Sequence, residues 1–265
     1  MSPGRRTLVG VPARIDVNAD VGESFGAWTL GADEELLALV SSASVACGFH
    51  AGDPMVMDRT VALAVRAGVA VGAHPGHLDL RGFGRRAIAA SPAEVEADVV
   101  YQVGALAAFA ASYGVRLRHV KPHGALYNQA AADPALARAI ARASARVDRG
   151  LMVVGLASSA TMRRAAEEAG LRFSAEAFAD RAYEPDGSLR PRAMPGAVIT
   201  DPEEAAARAV RIARDGLVPA AGGDVVHLAA DTLCLHGDNP NALAIARAVR
   251  RALDAAGIEV RPFGP

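Results

Sequence analysis

Lysine is almost missing from this chain of 265 residues. Lys121 is the single ammonium side chain, and every other member of the 28 Lys+Arg is arginine. The surface cations of this protein are therefore guanidiniums, and a compact ammonium kept at one position points to a site that a planar fork cannot serve. Cysteine is nearly absent as well. Cys47 and Cys234 make no disulfide framework and point to a reducing, cytoplasmic setting, where a small buried apolar role suits them better than a nucleophilic one. No window approaches the roughly eighteen consecutive apolar residues of a membrane-spanning helix. Charge of one sign is not in excess: a formal net charge of -1 gives no footing for nucleic acid or an anionic membrane surface. No GxxxxGK[ST] loop occurs, which excludes an intrinsic P-loop ATPase, and there is no GxSxG elbow. The first residues, Met1 to Ala13, lack the apolar core of a secretory signal and read as a short flexible tail.

What is present is a repeated unit. Hydrophobic residues make up 51% of the chain, enough for one large α/β domain over 14–265. Ser91-Pro-Ala-Glu94 and Asp201-Pro-Glu-Glu204 read as helix starts with a capping residue and Pro in the first turn, and Asp53-Pro54 and Asp133-Pro134 offer the same beginning. Amphipathic Ala-rich runs follow at about 54–67, 92–113, 134–148, 202–215 and 241–256. Short β-branched runs lie between them at 14–17, 44–46, 69–72, 117–120, 151–154, 173–177 and 233–235. Strands alternating with helices imply a parallel sheet. Polar, Gly-containing sequence follows almost every strand, as expected of a seven-stranded (β/α) barrel with its site at the carboxyl ends of the strands. A doubly wound open sheet would gather those residues at one switch point. The stretch from Gly222 to His227 reads as a hairpin or a further strand.

The candidate site residues fall in these segments. His119, Lys121 and His123 alternate onto one face of the fourth strand. Imidazole neighbours predict a lowered pKa for Lys121. It would hold an anionic substrate or an oxyanion, or form a Schiff base with a carbonyl. His119 reads as a satisfied core histidine and His123 as a site residue. Asn18 and Asp20 share a face with Asp16, and Glu23 follows on the turn, where carboxylates serve as general base, ammonium partner or metal ligand. Asp20 with His50 and His74 makes an Asp/His/His set suited to zinc or another divalent metal, although the same residues also do metal-free acid–base work. Gly82-Phe83-Gly84-Arg85-Arg86 suits a carboxylate or phosphate, or is a solvated loop. Asp180-Arg181 is an ion pair or a substrate clamp, and Tyr127, His236 and Asp238 complete the candidate substrate contacts. Asp53 is assigned to helix capping.

In this order the motifs resemble the LamB/YcsF family. The segments that carry the likeness are Asp16-Val-Asn18-Ala-Asp20-Val-Gly22-Glu23-Ser-Phe-Gly26, Ala46-Cys-Gly-Phe-His50-Ala-Gly-Asp53-Pro, Gly72-Ala-His74-Pro, Asp79-Leu-Arg-Gly-Phe-Gly84-Arg-Arg, Val120-Lys-Pro-His123-Gly-Ala-Leu-Tyr127-Asn, Phe178-Ala-Asp180-Arg181-Ala-Tyr183 and Cys234-Leu-His236-Gly-Asp238-Asn-Pro. They extend from about residue 14 to 262. Ser44 stands where the family commonly has Asn, and His77 where it has an aromatic; both are expected to touch the pocket. The resemblance implies a single-domain barrel of the glycoside hydrolase/deacetylase type. It also implies opening of the 5-oxo-L-proline lactam to L-glutamate, with ATP hydrolysed in concert with subunits B and C. ATP would then be held at an atypical site or by those partners. In that setting Lys121, with Arg85, Arg86 or Arg181, is expected to hold the substrate carboxylate or an activated oxygen. Asp20 or Glu23, with His50, His74 or His123, is expected to deprotonate the attacking water. Two other readings fit the same residues: a stand-alone metal-dependent amidase or deacetylase, and a non-catalytic subunit that binds a small carboxylate.

Overall fold

Four helices begin on a capping side chain followed by Pro, and a fifth, over Ala160–Glu168, on Ser159, which accepts from Met162 N–H. In the computed structural model, which describes residues 14–263 apart from 238 and 240, Asp53 accepts from the N–H groups of Met55 and Val56, Asp133 from those of Ala135 and Leu136, and Asp201 from that of Glu204. Ser91 and Glu94 form the reciprocal capping box. Each of these four caps is followed by Pro in the first turn, where a missing N–H costs no helical hydrogen bond. The expected tail over residues 1–13 and the candidate contact Asp238 lie outside the described residues.

The first half of the chain runs β1 (Arg14–Val21), α1 (Asp33–Leu37), β2 (Ser42–Ala46), α2 (Pro54–Arg66), β3 (Ala70–His74), a 3-10 turn at Leu80–Gly82, α3 (Pro92–Ser112), β4 (His119–Val120), α4 (Gly124–Ala132) and α5 (Pro134–Val147). The second half runs β5 (Met152–Leu156), α6 (Ala160–Glu168), β6 (Arg172–Phe178), α7 (Pro202–Asp215), β7 (Leu217–Pro219), β8 (Val225–His227), β9 (Thr232–His236), α8 (Ala242–Ala255) and β10 (Glu259–Val260). Strands β1 to β6 follow one another in parallel, and β9 pairs with both β6 and β1. Seven parallel strands thus close a single-domain barrel. The stretch after Gly222 forms β8, which pairs antiparallel with β7 and stays outside the barrel.

Strand β1 is polar on its inner face and apolar on its outer one. Along β1, Val17, Ala19 and Val21 join the buried apolar cluster, while Asp16, Asn18 and Asp20 on the alternate face meet polar partners from other strands. Ser41, Ser42 and Thr232 all donate to the Asp16 carboxylate, at 2.7, 2.6 and 2.5 Å. Burial pushes Asp16 up to about 6 despite those three hydroxyls. Expected and observed strands differ at β1, which runs four residues further than the sequence predicted. Asn and Asp are poor strand formers in general, and here interior hydrogen bonds override that preference.

Candidate active site

Lys121 follows the two-residue strand β4, and its ammonium lies inside the barrel mouth with a side chain only 2% exposed. Its Nζ is 2.5 Å from Asp20 Oδ1, 2.8 Å from Asn18 Oδ1, 3.1 Å from Glu176 Oε1 and 3.2 Å from Cys234 Sγ. Asn18 in turn donates to Glu176 and to Thr232. The expected lowering of the Lys121 pKa is wrong in direction. Burial does act to lower it, but the carboxylates of Asp20 and Glu176 outweigh burial and raise it well above the ordinary value. The flanking imidazole His119 yields instead: burial, then the Lys121 charge, depresses it to about 3. An ammonium held this firmly is no Schiff-base nucleophile. It is a fixed cation for developing negative charge.

Glu176 was not among the sequence candidates. Its signal was nonetheless present: a carboxylate inside the run Arg172–Phe178, on the same strand face as Ser174. It lines a cavity of about 650 Å³, together with Asp20, His74, Lys121, His123 and Tyr127. Glu176 Oε2 and the Tyr127 hydroxyl are buried without a hydrogen-bond partner. Arg85, Arg181, Arg190 and Arg192 line the same cavity, so arginines as well as carboxylates border it. The Arg181 guanidinium donates to the carbonyls of Ala197 and Arg190, and burial lowers its pKa to about 10. His236 also lines the cavity, with Nδ1 2.9 Å from Asp180. Asp180 itself stands behind His236; burial would raise its carboxyl, but the charge of His236 holds it below the usual range.

Other candidates take different places. Asn18 is behind Lys121, off the cavity wall. Arg86 is not on the cavity wall: its side chain is 63% exposed, and its guanidinium bonds Asp79, which also accepts from Gly82 N–H. That clamp holds the turn leading to Phe83, whose backbone is left-handed (φ 53) and whose carbonyl reaches His123. Ser44 hydrogen-bonds Asn18 and His119, and His77 bonds Gln129, so neither touches the cavity as expected. Cys47 is buried, and burial pushes its thiol up to about 12.

The expected Asp20/His50/His74 set is redistributed. Asp20 is taken by Lys121 and sits 3.3 Å from His74 Nε2. The imidazoles instead gather with Glu23: one ligand atom from each of Glu23, His50, His74 and His123 lies within 4.8 Å of all the others. His50 stacks on His123, with ring centroids 3.7 Å apart. Glu23 and His50 lie behind His74 and His123, off the cavity wall. Room for these rings comes from glycine. A Cβ on Gly84 (φ 62) would lie 2.6 Å from His50 Cβ and 2.8 Å from His123 Cδ2.

A parallel barrel whose carboxyl-end mouth carries a lysine between two carboxylates has the layout of the (β/α)-barrel class, in which sites are built at that end of the strands. The wider comparison narrows it. The chain belongs to the LamB/YcsF family, which it matches over residues 15–265. A protein of Heliobacterium modesticaldum, named as the A subunit of 5-oxoprolinase, is 55% identical over 248 residues, 94% of this chain and 97% of that one. A protein of the same name from Thermus thermophilus is 56% identical, over 94% of this chain and all of its own length. The crystal structure of a lactam utilization protein from Thermus thermophilus superposes with a TM-score of 0.89 at 55% identity, covering 94% of this chain and 100% of that one.

Proposed function

We propose that this chain is the A subunit of an ATP-dependent 5-oxoprolinase, which opens the 5-oxo-L-proline lactam to L-glutamate together with subunits B and C. The reading is supported by near full-length relatives of that name. On the structure, the observation that carries it is the Lys121 ammonium fixed between Asp20 and Glu176 on a cavity that also bears arginines. The substrate carboxylate faces Arg181 and Arg85, and the lactam carbonyl oxygen faces Lys121. Negative charge growing on that oxygen meets a cation that needs no reorganisation. Glu176 Oε2, buried and unpartnered, takes the proton of the attacking water. The water oxygen joins the carbonyl carbon, the C–N bond breaks, and the nitrogen leaves as the amine of glutamate. A lactam is a poor electrophile; transfer of the ATP γ-phosphoryl group to its oxygen, with ADP released, is the activation that coupling to ATP supplies. C–N cleavage, with the proton held by Glu176 passed to the departing nitrogen, then leaves an acyl phosphate that a second water hydrolyses to glutamate and inorganic phosphate. With no P-loop in this sequence, the nucleotide is held at an atypical site or by the partner subunits.

The test is glutamate release from 5-oxo-L-proline and ATP, using the B and C subunits with and without this chain. Glutamate formed only in the complete mixture supports the assignment. Equal ATP consumption in both mixtures with no glutamate refutes it. ATP-independent release that stops on chelation would assign the chain to the amidase class instead.

A further inference from the structure

Two backbone carbonyls fix the tautomers of the buried imidazoles. His74 Nδ1 is 2.7 Å from the Lys121 carbonyl oxygen, and His123 Nε2 is 2.8 Å from that of Phe83. A carbonyl oxygen only accepts, so both of these nitrogens carry the proton. In each neutral ring the other nitrogen then presents a lone pair. Those two nitrogens, His74 Nε2 and His123 Nδ1, face each other at 3.0 Å. Lone pairs meeting at that distance repel unless a cation lies between them. Further acceptors converge on the same point: Glu23 Oε1 is 3.7 Å from His123 Nδ1 and 3.4 Å from His50 Nε2. Both nitrogens of His50, which is fully buried, lack a hydrogen-bond partner.

We infer that Glu23, His50, His74 and His123 form a binding site for a divalent metal ion of the zinc type. A single proton shared by His74 and His123 would relieve one contact and leave His50 unsatisfied; an ion at the centre satisfies all four donors. The dimensions agree. A tetrahedral zinc with bonds of roughly 2.0–2.1 Å to nitrogen and oxygen has ligand–ligand edges of about 3.3–3.4 Å. The edges here are 3.0, 3.4 and 3.7 Å. Imidazole-rich donors with one carboxylate suit zinc, cobalt or nickel better than magnesium or calcium. The carbonyls of Lys121 and Phe83 act as the outer partners that orient ligating histidines. His50 must turn out of its stack on His123, because its lone pair lies in the ring plane, and no hydrogen bond opposes the turn. Metal binding here does not depend on which amide the neighbouring cavity opens.

The experiment uses the full chain, stripped with chelator, dialysed against zinc and analysed for its metal content, with cobalt(II) absorbance as a report on coordination. One equivalent of zinc per chain, a tetrahedral cobalt spectrum and a metal-dependent rise in melting temperature are expected. His123→Gln and Glu23→Gln should each weaken binding about a hundredfold or more, since even outer partners contribute about 10- to 100-fold. Failure of the unsubstituted chain to retain zinc overturns the site, whatever the variants do. So does retention that is unchanged in a folded His123→Gln protein. The activity assay separates this from the lactam reading. Zinc bound without glutamate formation refutes only that reading, and glutamate formation by a chain that retains no zinc after dialysis refutes only the metal site.

Discussion

Replacing Lys121 by Met removes the ammonium that bridges two buried carboxylates, Asp20 and Glu176. Orphaning a buried charge in this way costs about 3–5 kcal/mol, a large share of the roughly 5–15 kcal/mol that holds a domain folded. The pH dependence gives the sharper test. In the unsubstituted protein Lys121 is raised above its ordinary value, so its contribution is complete below about pH 10.4 and is lost only as pH rises through the higher folded value. Asp20 is the reverse case. Burial opposes its ionisation, but cationic neighbours, with the Lys121 ammonium in direct contact, outweigh burial and hold it well below the carboxylate range. Its contribution is therefore complete above about pH 3.9 and is lost as pH falls through the lower folded value. Between pH 5 and 8 the pair contributes a constant amount. With Met at 121 the stranded carboxylates lose their counter-ion and their pKa values rise. The stability deficit should then narrow by about 1–3 kcal/mol between pH 7 and pH 5, as one of them takes a proton. Chemical denaturation at the two pH values measures this, and glutamate release should fall about 10²- to 10³-fold, the usual effect of losing a preorganised charge donor. Lys121→Arg keeps the charge but must fit a planar fork among four atoms at 2.5–3.2 Å, so turnover should collapse there too. A Lys121→Met protein with a deficit below about 1 kcal/mol, no pH dependence and near-normal kcat/KM would refute this account.

Asp16 should act with the opposite sign. Its folded value near 6 exceeds the unfolded one, so its stabilising contribution is present below about pH 3.9 and is lost as pH rises through 6. Asp16→Asn should therefore gain up to about 3 kcal/mol on the unsubstituted protein between pH 4 and pH 7, measured by urea unfolding at each pH. Gly84→Ala places a methyl group 2.6 Å from His50 Cβ on a left-handed backbone, and should lower stability by about 1–3 kcal/mol. It should also reduce glutamate release; an unchanged melting temperature would show that the turn yields freely. Cys47 and Cys234 are buried with raised thiol pKa values, and should react with a thiol reagent at pH 8 only after denaturation. Rapid labelling of the folded chain would contradict their placement.

The barrel was legible because its signals are local. Caps at Asp53, Ser91, Asp133 and Asp201 mark helix starts within one residue, and polar segments after the strands mark one rim. The helices α1, α4 and α6 were missed: they are 5, 9 and 9 residues long, and α4 begins at Gly124, which reads as a turn. Within the site, residue type was legible and partnership was not. Lys121 stood out by its rarity, yet the direction of its pKa depended on Glu176, which lies 55 residues further along the chain. Arg86 looked like an anion contact because nothing in the sequence pairs it with Asp79, seven residues earlier. Asp20 was grouped with histidines because nothing in the sequence shows that an ammonium from another strand reaches it first.

The closure of the barrel through β9 has a consequence for how the molecule comes to be active. Asn18 meets Glu176 and Thr232, 158 and 214 residues away in sequence, only when the last strand slots between the first and the sixth. Contacts of that separation are the slowest to form, because the ends of a long loop must find each other first. An incompletely wound chain would carry Lys121 without the frame that aims it. Competence for chemistry and completion of the ring therefore arrive together.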